Sequence, residues 1–191
     1  DHVLNNAPFR RRFINRYADL VNTIFQPWAF SVETNIAVDA IETAMPHHID
    51  RWDSPPSMGS WLNNVNAMVT HNQSRVNTSR NHLMQSFNLP NPYECSLDVV
   101  PAMSGLVRIN TITPGPLPWD GIYFENVPVE IEAIAQPGYL FEKWETNQHI
   151  ATGDMEQFTK LNTIPLFTDD LYQAHFIPCP EDASAAIEAG D

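Results

Sequence analysis

The residue types that could do chemistry fall into a few small groups, and the first is a candidate metal site. His47 and His48 stand close to Asp50 and Asp53, and imidazole and carboxylate groups are common metal ligands. Adjacent histidines cannot share one helical face, and the chain has no HExxH spacing. The pattern therefore favours a structural or solvent-facing role, and we predict no metal-binding residues.

The second group is a pair of acids. Glu130 and Glu132 point to the same side of a predicted strand, as the general acid and base of a glycosidase could. Carboxylates on an exposed sheet face are far more often solvated. The chain also lacks a Gly-x-Ser-x-Gly motif, so we predict no catalytic residues.

Phosphoryl transfer needs a cation cradle and metal-binding carboxylates. Residues 1–90 contain no Lys, and no Gly-rich loop precedes a helix. We therefore predict no cofactor-binding residues and no kinase activity for this chain alone.

The elements that must position these groups are predicted to be helices in the first half of the chain. The spacing of apolar residues predicts four or five short helices before residue 90. The first has an apolar face of Phe9, Phe13, Tyr17, Leu20, Val21 and Ile24. Asn5 or Asn6 caps it, and Pro27 ends it. A second helix is predicted to begin at Ser31, with Val32, Ile36, Ala40, Ile41 and Ala44 facing inward.

The second half is predicted to form strands. Apolar and polar residues alternate over 107–110, 127–136 and 172–176, the period expected of half-buried strands. Turn signals, among them Asp120-Gly121 and Pro137-Gly138, separate these segments. We predict an α+β chain: helices over 1–90, a small antiparallel β module over 91–179, and an acidic linker or tail over 180–191.

Charge narrows the class of function. The chain carries 10 Lys and Arg against 23 Asp and Glu, a net charge of −13. Residues 1–90 are balanced, so residues 91–191 carry the whole excess. This balance argues against a nucleic-acid partner, because phosphate binding needs clustered basic residues. Since no apolar run reaches the roughly 18 residues that span a bilayer, we expect no membrane insertion.

Two features are candidates for interaction. Arg10, Arg11 and Arg12 crowd the first turns of the first helix, where the macrodipole favours anions. Their side chains either spread into water or face acidic groups elsewhere in the protein. The aromatic residues of the second half either fill a core or form a binding platform for sugars or peptides. Trp119 is the member expected to be most exposed.

Two runs resemble known families. The run from Phe9 to Leu20 (FRRRFINRYADL), followed by Asn22 to Phe25, resembles the helical C-terminal part of CotH-like proteins, as do Met45 to Ile49 and Arg51-Trp52. The second half is similar to a divergent InlB-type B repeat, a small β-grasp-like module. That resemblance rests on Leu106–Asn110, Pro118–Gly121, Pro137–Tyr139, Phe141, Trp144 and Tyr172–Phe176.

The resemblance implies an exported bacterial protein at the cell surface or outside the cell. CotH kinases carry their nucleotide- and metal-binding residues upstream of this helical run, so none is transferred to this chain. The expected function is structural and interaction-based, with other domains of a longer protein, surface proteins or glycans as partners. The alternatives are the C-terminal lobe of an atypical kinase and a carbohydrate- or protein-binding adhesin.

The two cysteines are a candidate disulfide. Cys95 lies where the β module begins and Cys179 follows its last strand. In an exported protein, such a pair is usually bonded. The alternative is two free thiols.

Overall fold

A computed structural model of the protein describes residues 3–147 and 161–180. It contains two compact units. Residues 1–19 belong with residues 89–191 in a strand-containing unit, and residues 20–88 form a helical unit. The predicted segments 1–90, 91–179 and 180–191 stay a prediction, and residues 181–191 of the expected acidic tail lie outside the described part.

Four α-helices follow one another between residues 3 and 88. Their bounds are Ala7–Asn22 (α1), Pro27–Ile41 (α2), Met45–Trp52 (α3) and Met58–Phe87 (α4), with short 3₁₀ turns at Val3–Asn5 and Glu42–Ala44. No helix among the described residues is long and apolar enough to cross a membrane.

Local sequence explains where these helices begin and end. The Asn6 side chain accepts a hydrogen bond from the backbone N–H of Phe9 at 3.0 Å, which confirms one of the two predicted caps. Pro27 does not end α1 but opens α2, because proline fits the first turn of a helix. Ser31 is therefore inside α2, where its hydroxyl donates to the carbonyl of Pro27.

The last helix is longer than the predicted short helices. The apolar residues of Trp61–Val69 and Val76–Phe87 lie on one helix of 30 residues. No Gly or Pro occurs between residues 60 and 87, so nothing in the backbone interrupts it.

The helical unit leaves much apolar surface exposed. Val32, Ile36 and Ile41 of α2 were predicted to face inward and are exposed instead. The buried apolar residues of this unit are Val21, Met45, Val76 and Leu83. The periodicity of α2 correctly predicts a helix but not which of its faces is covered.

The strands form two sheets. Their bounds are Pro92–Val100 (β1), Gly105–Ile109 (β2), Trp119–Phe124 (β3), Val129–Ala135 (β4), Tyr139–Thr146 (β5), Leu161–Ile164 (β6) and Asp170–Pro178 (β7). One sheet has the order β3-β1-β7-β5 and the other β2-β4-β6. The predicted α+β class is confirmed, with one difference from a purely antiparallel module: β1 and β7 run parallel.

The core of the strand-containing unit comes from one face of each sheet. Leu97 of β1, Tyr172 of β7, Ile109 of β2 and Ile131 of β4 are buried. The two sheets approach each other closely at Gly105 on β2: a Cβ added there would overlap the ring of Phe176 on β7. The alternation of the sequence thus leads to a closed core.

Candidate functional site

The most distinctive site is a polar cluster built on the second half of α1. Ile14, Asn15, Ala18 and Asp19 are all buried on one side of this helix. Asp19 has 0% of its surface exposed. A carboxylate in such a place is stable only when donors surround it.

The strand-containing unit supplies four such donors. Asp19 Oδ1 accepts from the Tyr123 hydroxyl at 2.8 Å and from Asn110 Nδ2 at 3.2 Å. Asp19 Oδ2 accepts from the Thr111 backbone N–H at 3.1 Å and from its hydroxyl at 2.6 Å. Both oxygens are thereby satisfied by groups more than ninety residues away in the chain.

The end of β2 is shaped to deliver these donors. Asn110 has a φ of 46°, a left-handed conformation that asparagine tolerates better than most residues. Its backbone N–H donates to the Glu130 carbonyl at 2.7 Å, and its side-chain oxygen accepts from the Glu130 N–H at 2.9 Å. The Asn110 amide is therefore held in place before it meets Asp19.

A second residue of α1 joins the same cluster. Asn15 Nδ2 donates to the Pro128 carbonyl at 2.9 Å and to Asn110 Oδ1 at 3.2 Å. Arg16 Nη1 donates to the Thr111 hydroxyl at 2.7 Å. The positively charged Arg16 is thus linked to Asp19 by a chain of two hydrogen bonds through this hydroxyl. We call Asn15, Arg16, Asp19, Asn110, Thr111 and Tyr123 the Asp19 cluster.

The chemistry of this cluster is that of an anchor. Four donors fill the oxygens of Asp19, and the carboxylate is closed to solvent. A catalytic or ligand-binding carboxylate needs an approach for its substrate. The cluster instead joins residues 15–19 of α1 to the end of β2 and to β3 within one unit.

The predicted arginines have different surroundings. Arg11 Nη2 lies 3.2 Å from Glu130 Oε1 in a partly exposed ion pair, so one of the three faces an acid distant in sequence. Arg10 and Arg12 are exposed. Their expected part in an interaction stays a prediction.

Trp119 is half-buried at the start of β3. Its ring lies over Gly121, where an added Cβ would overlap it. Asp120-Gly121 was predicted to be a turn, which is wrong: both residues belong to β3 and pair with β1. A binding role of Trp119 stays a prediction, as does the adhesin function.

Both cysteines are free in the structure. Cys95 is buried beside Asp170 across the parallel β1–β7 pair, and Cys179 lies nine positions further along that neighbouring strand. At about 3.3 Å per residue, this places them about 30 Å apart, far beyond the roughly 7 Å limit for a disulfide. The predicted disulfide is therefore not formed, since the parallel pairing puts the two residues at opposite ends of the sheet.

Burial raises the pKa values of two side chains on β1 and β7, Cys95 and Tyr172. It raises the pKa of the Cys95 thiol, and the charges of Asp170 and Asp120 raise it further. Burial also raises the pKa of Tyr172, with smaller contributions from Cys95 and Asp170. Both side chains are therefore kept in their neutral forms.

The other candidate groups are not assembled into a reactive site. His47, His48, Asp50 and Asp53 are all exposed. Within residues 3–147 and 161–180, no three His, Cys, Asp or Glu side chains are grouped to hold a metal ion. Glu132 Oε2 forms an ion pair with Arg108 Nη2 at 2.5 Å, and Glu130 forms an ion pair with Arg11.

The sequence reasoning missed the Asp19 cluster. The predicted apolar face of α1 includes Phe9 and Phe13, and both are exposed. The signal that could have been used is the spacing of Ile14, Ala18 and Val21 beside Asn15, Asp19 and Asn22. These residues recur at helical spacing and define a mixed apolar and polar face.

A comparison with known proteins identifies the first part of the chain. Residues 1–78 match the family described as CotH kinase protein, so this segment is CotH-like. No curated protein and no solved structure matches the chain. Asn15 and Asp19 lie inside the matching segment, and their hydrogen-bond partners lie beyond it.

Proposed function

We propose that this chain is the non-catalytic structural and interaction region of an exported, cell-surface CotH-like protein. One observation carries the proposal: the buried Asp19 of the CotH-like segment is bound by Asn110, Thr111 and Tyr123 of the following segment. The strands are thereby fixed to the first helix instead of following it on a flexible linker. Such a connection suits a scaffold that holds modules in a set position.

We also propose that the strands form an InlB B-repeat-like module. Residues from separate parts of that sequence pattern meet in the core, since the ring of Phe141 lies 5.8 Å from that of Trp144 and 5.9 Å from that of Phe176. Gly138 takes a φ of 88° in the turn before β5, which favours glycine at that point of the pattern.

A phosphotransfer assay tests the non-catalytic part of the proposal. The full chain is incubated with labelled ATP and Mg²⁺ or Mn²⁺, with and without a general protein substrate. We expect no transfer above the rate without protein. Clear turnover that is lost on heating the protein would overturn the proposal.

The expected location is tested on intact cells that make the longer protein. A protease added outside the cells should remove the signal of an antibody raised against this chain, while a cytoplasmic marker stays intact. Protection of both signals until the cells are lysed would contradict surface display.

The match to the CotH kinase family favours a second candidate function. In this alternative, residues 1–78 complete the C-terminal lobe of a kinase whose catalytic residues lie upstream. The discriminating experiment repeats the assay with the longer protein: turnover there, with none for this chain, would support the lobe over a purely structural role.

A further inference from the structure

The exposed face of α2 is unusually apolar. Trp28, Val32 and Ile36 follow one another at intervals of four residues, and they are 68%, 52% and 58% exposed. A surface helix normally turns polar residues outward. This face therefore has the composition of a surface that another element covers.

The charges on this helix are all of one sign. Glu33 flanks the apolar stripe, and Asp39 lies one turn beyond Ile36 on the same side; α2 contains no basic residue. We call Trp28, Val32, Glu33, Ile36 and Asp39 the acidic face of α2.

A groove lies beside this face, within the helical unit. It has a volume of about 400 Å³ and is shared by α2 and α4. Its lining residues are Phe30, Glu33, Thr34, Ala37, Val38, Ile41, Trp61, Val65 and Met68. Apart from Glu33 and Thr34, the lining is apolar, and a volume of this size accepts a large side chain.

The same chain carries a surface of the opposite charge. Phe9 and Phe13 of α1 are 44% and 41% exposed, and the ring of Phe13 also contacts Tyr17, with 6.4 Å between ring centroids. At 100° per residue, Arg10 and Arg12 lie on opposite sides of the line from Phe9 to Phe13. We call these four residues the basic face of α1.

We propose that the acidic face of α2 binds the basic face of α1 from a second copy of this chain. Aromatic and aliphatic side chains from both helices would leave water, which provides most of the affinity. Arg10 and Arg12 would oppose Glu33 and Asp39, which sets the orientation and excludes the pairing of like faces. Because the two surfaces differ, the contact closes into a small ring or continues into longer assemblies.

The experiment is sedimentation velocity of the full chain over a range of concentrations up to about 100 µM. We expect the wild type to associate. Glu33→Arg with Asp39→Arg leaves both faces basic, and Arg10→Glu with Arg12→Glu leaves both faces acidic. Each double variant should raise the dissociation constant about tenfold or more.

Mixing the two double variants gives the decisive result. One variant has only basic faces and the other only acidic faces, so a contact between the two variants again pairs opposite charges. The mixture should therefore associate although neither variant does so alone. Asp50→Arg with Glu142→Arg reverses two exposed acids outside both faces and is the matched control; it should associate as the wild type does. Circular dichroism checks that all variants keep their helix content.

Three results would overturn the proposal. The wild type could remain a monomer at the highest concentration, which would assign the acidic face to a different occupant. The two double variants could associate as strongly as the wild type, or their mixture could remain monomeric.

Discussion

The two units of this chain treat their apolar residues in opposite ways. In the strand-containing unit, alternating residues of both sheets enter a core with Tyr123, Tyr172 and Phe124 almost fully covered. In the helical unit, Trp28 and Ile36 remain at the surface. The difference teaches that a regular apolar pattern predicts an element but not its partner. The strands cover their apolar residues by packing on each other, whereas the helices leave apolar residues exposed.

The largest expected effect is that of Asp19→Ala. It leaves four donors without their acceptor inside the strand-containing unit, and breaking a buried charged network costs about 3 to 5 kcal/mol. Hydrogen exchange of the β1, β2 and β7 amides measures the free energy of opening of this unit. Asp50→Ala, at an exposed acid, should leave exchange unchanged, and equal exchange in both variants would contradict the anchoring role.

The next prediction is that a Gly→Ala substitution changes the stability of the two units in opposite directions. Gly105→Ala places a Cβ against Phe176 and 2.9 Å from the carbonyl of Ile134, so it should destabilise the strand-containing unit by about 1 to 3 kcal/mol. Gly59→Ala in α4 meets nothing nearer than Ser57 Oγ at 3.8 Å. It should stabilise the helical unit by about 0.5 to 1 kcal/mol.

Chemical unfolding followed unit by unit by hydrogen exchange checks this pair of variants. Destabilisation by both substitutions, or by neither, would show that the packing of the two units does not differ as described.

Alkaline pH should weaken the strand-containing unit selectively. The pKa values of Cys95 and Tyr172 are raised by burial in the folded state, so their neutral forms contribute fully below the pKa values of the unfolded chain. Above about pH 9 the unfolded chain loses these protons first, and stability falls by about 1 kcal/mol per pH unit for each group.

Unfolding free energies measured at several pH values above 8 test this slope. Cys95→Ala should remove the part of the slope that begins at the lower pH, and Cys179→Ala is the control at the half-buried thiol. Equal slopes for both variants and the wild type would contradict the assignment.

The smallest effect belongs to the arginine run. Arg11→Gln removes the partly exposed ion pair with Glu130, which should cost at most about 1 kcal/mol and less at high salt. Arg10→Gln and Arg12→Gln should not change stability measurably. Denaturant titrations at low and high salt measure the difference, and a loss as large as that of Asp19→Ala would reverse the ranking of these contacts.

Local pattern was sufficient for much of the fold. The alternation of residues 127–136 and 172–176 predicted β4 and β7, and Asn6 is one of the two residues predicted as the cap of α1. It was insufficient where a residue's partner lies far along the chain. Asp19 is polar, and its donors follow about ninety residues later in the chain. A rule that looks only for apolar residues therefore selected the face of α1 that contains Phe9 and Phe13.

The prediction of a disulfide between Cys95 and Cys179 was wrong for a related reason. Cys95 and Cys179 do enclose the strands in sequence, but whether the ends of a module meet in space depends on strand direction. An antiparallel β1–β7 pair would have brought the two residues near each other. The parallel pair separates them, and no local pattern distinguishes the two arrangements.

The central claim is that residues 7–19 of the CotH-like segment are a structural part of the strand-containing unit. The most direct test compares the full chain with a chain that begins at residue 89, by hydrogen exchange of the β2 and β4 amides. We predict that the shorter chain loses most of its protection, because Asn110, Thr111 and Tyr123 lose Asp19. Equal protection in the two chains would contradict the claim.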